Sequence, residues 1–320
     1  MFMKLRDWID SSKLNYKFLS GNKNAIELLK ENPDKINWTI LSRNTGAIEL
    51  LRKNQDKIDW NMLSYNSAAI DLLKNNQDKI NWHHLSSNIE AIELLKNNLH
   101  KINWRYLSEN PNAIELLKEN QDKINWQSLS SNPNAIELLK NNQNKIEWIS
   151  LSSNPNAIEL LKENPDKIDW VLLSFNENPE AIKLLKENPD KINWCHLSLN
   201  KEAIELLKEN QDKIKWYYLS FNENAIELLK EIQNKIDWDE LSRNENPEAI
   251  ELLKENQDKI QWDGFSLNSS IFTYDYEKIK QNFQELGEEI IAKALHPKRI
   301  FRLIEEYGED EIYNIYFNDD

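Results

Sequence analysis

An aromatic residue returns along this chain at a nearly fixed interval, and that interval limits the fold more than any other feature. Tyr16 is followed by Trp38, Trp60, Trp82, Trp104, Trp126, Trp148, Trp170, Trp194, Trp216, Trp238 and Trp262. The step is 22 residues except between Trp170 and Trp194 and between Trp238 and Trp262, where it is 24. Both longer steps have one cause: SFNENPEA (174–181) and SRNENPEA (242–249) stand where other units read SxNPxA. Tyr16 to Trp262 thus holds eleven units. Self-similarity at such a period marks a repeat architecture. A unit this short cannot cover its own apolar side chains, so neighbours above and below must do it.

The unit reads W-x-x-L-S-x-N-P-x-A-I-E-L-L-K-E-N-x-D-K-I-N, and two helices fit inside it. The longer is clearest in NPNAIELLKNN (132–142). Asn132 is a good N-cap and Pro133 suits the first helical position, where its missing N–H costs nothing. Ala135, Ile136, Leu138 and Leu139 supply the apolar stripe, and Glu137 and Lys140 pair weakly on the outer face. Asn142 ends the helix by tolerating the left-handed conformation. The shorter helix starts at Trp. The residue before the aromatic is Asn or Asp in nine of twelve cases, the exceptions being Glu147, Lys215 and Gln261. With Asn37 as cap, Ile36 and Leu41 form a hydrophobic staple. This reading makes the eleven Trp structural, each turned toward the core from the first position of a short helix. The fold class is all-α: an α-solenoid of about eleven two-helix repeats of 22–24 residues with helical N- and C-terminal caps. At roughly 8–10 Å per layer the array is a rod or shallow superhelix about 100 Å long.

A solenoid of this kind exposes a core face at each end unless capped. The domain organisation follows: a capping helix in 1–15 with Phe2, Leu5, Trp8 and Ile9 inward, the repeats over 16–262, and a helical cap over 263–320. In that last segment Ile279, Phe283, Leu286, Ile290 and Ala294 share one helical face. His296-Pro297 breaks that helix, 298–308 forms a second ending at Gly308, and 309–320 a short third. A separate small interaction domain is the alternative for this segment.

With 29% charged and 40% hydrophobic residues the chain is globular in composition. No apolar run is long enough to span a membrane, and the charged N-terminus lacks a signal-peptide core. A single cysteine, Cys195, rules out an internal disulfide and fits a reducing compartment. A net charge of −14 argues against a nucleic-acid surface.

The run LRDWIDSSKLNYKFLS and the recurring NAIELLKENPDKINW resemble the short tryptophan-containing repeats of large DNA viruses of protists, of mimivirus and phycodnavirus type. The resemblance covers Leu5 to Trp262, and the tail from 271 to 300 is similar to the terminal segment of such proteins. It implies a viral origin and a place in the host cytoplasm or the virion rather than secretion; it implies no catalytic residue. Tyr16, Ile232 and the two NEN insertions depart from the regular pattern.

Against a fixed frame, the informative positions are those that vary: the two after each Trp and the one after each Ser. Stacked units place each set in a row. Tyr and Arg are favoured interface anchors, which singles out Phe175, Tyr217, Tyr218 and Phe221, with Arg105, Tyr106 and Tyr65, as a candidate surface for a protein or peptide partner. Drift at exposed sites is the competing explanation. His83 and His84 diverge by about 100° on a helix and make poor joint metal ligands. Cys195 and His196, adjacent on a helix, lack the third group that orients a nucleophile–base pair. No phosphate-cradling glycine motif is present. The sequence therefore points to a non-catalytic interaction scaffold without metal or cofactor, binding neither nucleic acid nor membrane. A self-assembling structural component, of a virion for example, is the alternative.

Overall fold

The computed structural model describes residues 2–308 and Ile312, the side chains of Ile290, Ala294 and Tyr307 excepted. The third terminal helix expected over 309–320 lies outside the described residues, Ile312 apart. Two compact units result: one spans Leu5–Phe272, the other joins Met1–Lys4 to Thr273–Asp320.

The first unit is an all-α repeat array in which short helices pack neighbour to neighbour. Each repeat opens at its aromatic residue, as in Trp38–Arg43 and Trp104–Glu109. The cap side chain does what its chemistry allows: Asn37 accepts from the Ile40 N–H at 3.0 Å and Asp59 from the Met62 N–H at 3.1 Å. Glu147 caps as well, through Ser150 N–H, whereas Lys215 and Gln261 provide no side-chain cap. Ile36 and Leu41 are both buried, as the staple requires.

The second helix departs from expectation in the 22-residue units. Asn132 caps a 3-10 turn, Pro133–Ala135, and the α-helix Ile136–Lys140 follows it. Only the 24-residue units form one continuous α-helix here, Pro179–Glu187 and Pro247–Glu255. The extra two residues bring a second Asn. Asn176 accepts from Asn178 N–H, and Asn178 caps Glu180 N–H. The cap is thereby freed from the corner Asn, and the helix starts without a 3-10 turn. Asn142 is not left-handed; its φ is −136°. It closes the helix by donating from Nδ2 to the Leu138 carbonyl at 2.9 Å, which satisfies one of the orphan acceptors.

Neighbouring units are tied at the Ser-x-Asn corner. Each Ser hydroxyl donates to the carbonyl of its own Trp and accepts the cap N–H of the next unit; Ser130 does both, at 2.8 and 3.0 Å. Each corner Asn donates to two carbonyls of the preceding unit, as Asn132 does to Ser108 and Asn110 at 3.0 Å each. All twelve Ser and all twelve Asn are buried. An Asn side chain is short, so the corners lie close together. The outer IELLK helices are bridged by long side chains instead, such as Lys162 to Glu180 and Lys186 to Glu209. The layer spacing therefore widens from the corners outward, and the array curves.

The curvature is enough to close it. Asn22 donates to the Ser266 and Asn268 carbonyls at 3.2 and 2.9 Å, and the Asn15 N–H reaches the Ser266 hydroxyl at 2.9 Å. These are the bonds made at every internal junction, now between the first repeat and the last. The open rod with capped ends is thus not what forms; the array is a closed ring of twelve aromatic-led helices. Residues 262–272 supply one half of the twelfth unit and residues 5–15 the other. Ser11–Lys13 forms the 3-10 turn that precedes an aromatic elsewhere, Leu14 is buried in the Ile place, and Asn15 caps Tyr16–Leu19. Trp8 packs on Phe265 at 6.0 Å, and Arg6 Nε donates to the Ser270 carbonyl at 2.9 Å.

Among the described residues, no helix lies within 2–10, where a capping helix was expected. Met3–Leu5 is a strand paired with Phe272–Tyr274. Pairing partners distant in sequence overrode the local helical pattern there. The second unit contributes the helices Tyr276–Ala294 and Pro297–Tyr307, with Gly308 at φ 93° just past the end. Phe283 and Leu286, placed above on one helical face, are exposed.

Candidate functional site

Closure turns each variable row into a circle. The frame that carries the rows is the Trp-led helix, and its Trp is only partly turned into the core. All eleven are half-buried. The Lys near the end of each unit contributes to that cover: it reaches back over the indole that opens the unit. Lys145 Nζ sits 4.6 Å from the Trp126 ring centre and Lys57 Nζ 4.8 Å from that of Trp38. The pattern crosses the seam, with Lys13 Nζ over Trp262 at 5.2 Å. After the first insertion Lys191 lies instead 3.9 Å from the Asp190 carboxylate. A cation over an indole face is attracted by the ring quadrupole, and the indole becomes part of a covered stack.

Two arcs differ from the remainder of the circle. In the first, Arg43 lies over the Tyr65 ring at 5.2 Å, and Tyr65 stacks on His84 at 4.1 Å. Three successive units are thus joined through one cation–aromatic pile. Arg105 and Tyr106, in the next unit, are exposed. His83 Nδ1 contacts Asn103 Nδ2 at 2.6 Å while His84 Nδ1 meets the Asn61 carbonyl at 3.0 Å, so the two rings engage different partners. Among the described residues no group of three His, Cys, Asp or Glu side chains converges as a metal site.

The second arc is apolar. Phe175 is 47% exposed, Tyr217 53% and Phe221 45%. Phe175 meets the His196 ring edge-on at 6.2 Å, and Tyr217 meets Tyr218 at 5.2 Å. Sequence reasoning passed over two members, Ile149 and Val171, which are 55% and 44% exposed. Their signal was available: an apolar residue directly after Trp, where other units carry Asn, His, Arg or Gln. The arc ends at a polar brace. Glu240 is buried and takes a hydrogen bond from Arg243 Nη1 at 2.8 Å, and its carboxylate holds the Tyr217 pKa above its ordinary value. The arrangement offers a rigid apolar ledge; Tyr65, Arg105 and Tyr106 belong to the other arc, separated from it by Gln127, Ser128 and Ser131.

No helix among the described residues is long and apolar enough to cross a membrane. The chain matches no protein-family model, no curated protein and no solved structure.

Proposed function

We propose that the protein is a non-catalytic scaffold whose ring presents the apolar arc Ile149, Val171, Phe175, Tyr217 and Phe221 to a protein or peptide partner. One observation carries this reading: large apolar side chains stand 44–55% exposed at slots that most other units fill with polar residues. Water penalises such a row, and a contiguous apolar patch on a stable frame marks a binding surface. The corner hydrogen bonds keep the frame rigid, so little ordering entropy is lost on docking. A viral setting, carried by the resemblance of the repeats, belongs to this proposal. The test is a displayed-peptide library selected on the full chain and counter-selected on the F175S/F221S variant. Tyr217 is left intact because its phenol interacts with the buried Glu240 carboxylate. Peptides that bind the parent and not the variant are expected; a selection in which both chains retain the same peptides would sink the reading.

A further inference from the structure

The elbow between the helices Tyr276–Ala294 and Pro297–Tyr307 forms an open surface pocket of about 370 Å³ lined by the exposed residues Lys293, His296, Lys298, Arg299 and Arg302. Every lining residue is basic, in a chain of net charge −14, and no Asp or Glu occurs from 293 to 302. Lys293 has a partner, Glu289 Oε1 at 2.6 Å. Among the described residues Lys298, Arg299 and Arg302 have no carboxylate partner. Lys298 and Arg299 also sit in the first turn of an eleven-residue helix that carries no acidic residue there. That is where the helix dipole opposes positive charge. Arg302 lies one turn on from Lys298, on the same face. His296 Nδ1 accepts from the Lys298 N–H at 3.3 Å, which leaves Nε2 as the donor of the ring. Dipole and mutual repulsion both work against this cluster as it stands, and an anion in the pocket reverses the sign of both.

We propose that this elbow binds a phosphate-bearing anion. Guanidinium forks pair two N–H groups with two phosphate oxygens, and a multiply charged group answers three cations better than a lone carboxylate does. The phosphate can come from a soluble ligand or from a lipid headgroup, and the experiment separates the two. Inorganic pyrophosphate is titrated into the full chain by calorimetry. In parallel the chain is floated with phosphatidylcholine vesicles, with and without phosphatidylinositol 4-phosphate. Binding is expected in at least one arm, weakening with added salt and by about tenfold or more in K298A/R299A/R302A. Pyrophosphate binding assigns a soluble ligand; phosphoinositide-dependent flotation alone assigns a headgroup. Absence of binding in both arms overturns the proposal, and so does binding that the triple variant retains. If circular dichroism shows the triple variant to have lost helix, Arg302→Gln, beyond the first turn, is judged by the same criteria.

Discussion

A corner Asn makes three hydrogen bonds from a side chain that water does not reach. Asn132 donates twice to the preceding unit and accepts once from the Asn134 N–H, at 3.0 Å each. Removing it leaves buried carbonyls without donors, so Asn132→Ala should destabilise by about 3 kcal/mol. Asn132→Asp keeps the shape but sets a carboxylate oxygen against two carbonyl oxygens, and it should melt lower than the Ala variant. Chemical denaturation of the pair checks this; an Asp variant as stable as the parent would remove the ladder from the account. The Trp–Lys pile gives a second ordering. Trp126→Ala loses a half-buried indole and should cost about 2–3 kcal/mol. Lys145→Ala loses one exposed cation–π contact and should cost less than about 1 kcal/mol. Equal losses would mean that the cation, not indole burial, holds this layer.

Among the helices, the outer layer shows how charge bridges the wider spacing. Glu180, in the first turn of Pro179–Glu187, pairs with Lys183 of its own helix and with Lys162 of the preceding unit. Hydrogen bonds from Lys183 and then Lys162 lower its pKa to about 2 from 4.5. A carboxylate held below its ordinary value stabilises the fold fully above pH 4.5. That contribution falls away as the pH drops toward 2. The group is solvent-exposed, so the effect is small and screened by salt. In a carboxyl NMR titration Glu180 should be among the last glutamates to protonate, and Glu180→Gln should flatten the acid side of the melting profile locally. A midpoint near that of an isolated glutamate would show that the two lysines do not hold it.

At the scale of the ring, the number of units becomes a structural requirement. Twelve units share one full turn, about 30° each, whereas an open solenoid accepts any number. Deleting residues 105–126 removes one whole 22-residue period and leaves every neighbouring sequence in register. An open array would lose one layer's stability. A ring must either close with eleven units, each turned by about 33°, or part at the seam. Seam opening is the expected result, read as fast amide exchange at Asn15 and Arg6, whose N–H groups bond Ser266 and Ile271, together with slow exchange in the middle of the array. Protection at the seam equal to that of the parent would show that the array closes regardless of its count. The split twelfth unit has a related consequence: residues 5–15 act as a clasp on 262–272, so ring stability depends on both ends of the same domain.

The period, the two helices, their Asn and Asp caps and the buried Leu rows were legible in the sequence because each depends on residues within one unit. Phe175, Tyr217 and Phe221 were legible as candidates because they vary against a fixed frame, but whether they touch was not, since their neighbours lie 22 or more residues away. The Ser was visible as a fixed letter without a role, and the corner Asn only as a helix cap, because their inter-unit partners belong to the adjoining unit. The two-residue insertions gave their position, not their effect of turning a 3-10 start into a continuous helix. Closure was beyond reach for a quantitative reason. About 30° of turn per unit separates a straight rod from a twelve-unit ring, and that angle is set by the difference between short Asn contacts at the corners and long Lys–Glu bridges outside. Sequence periodicity fixes what each unit is; only the packing of unit on unit decides the angle, and with it whether the first repeat meets the last.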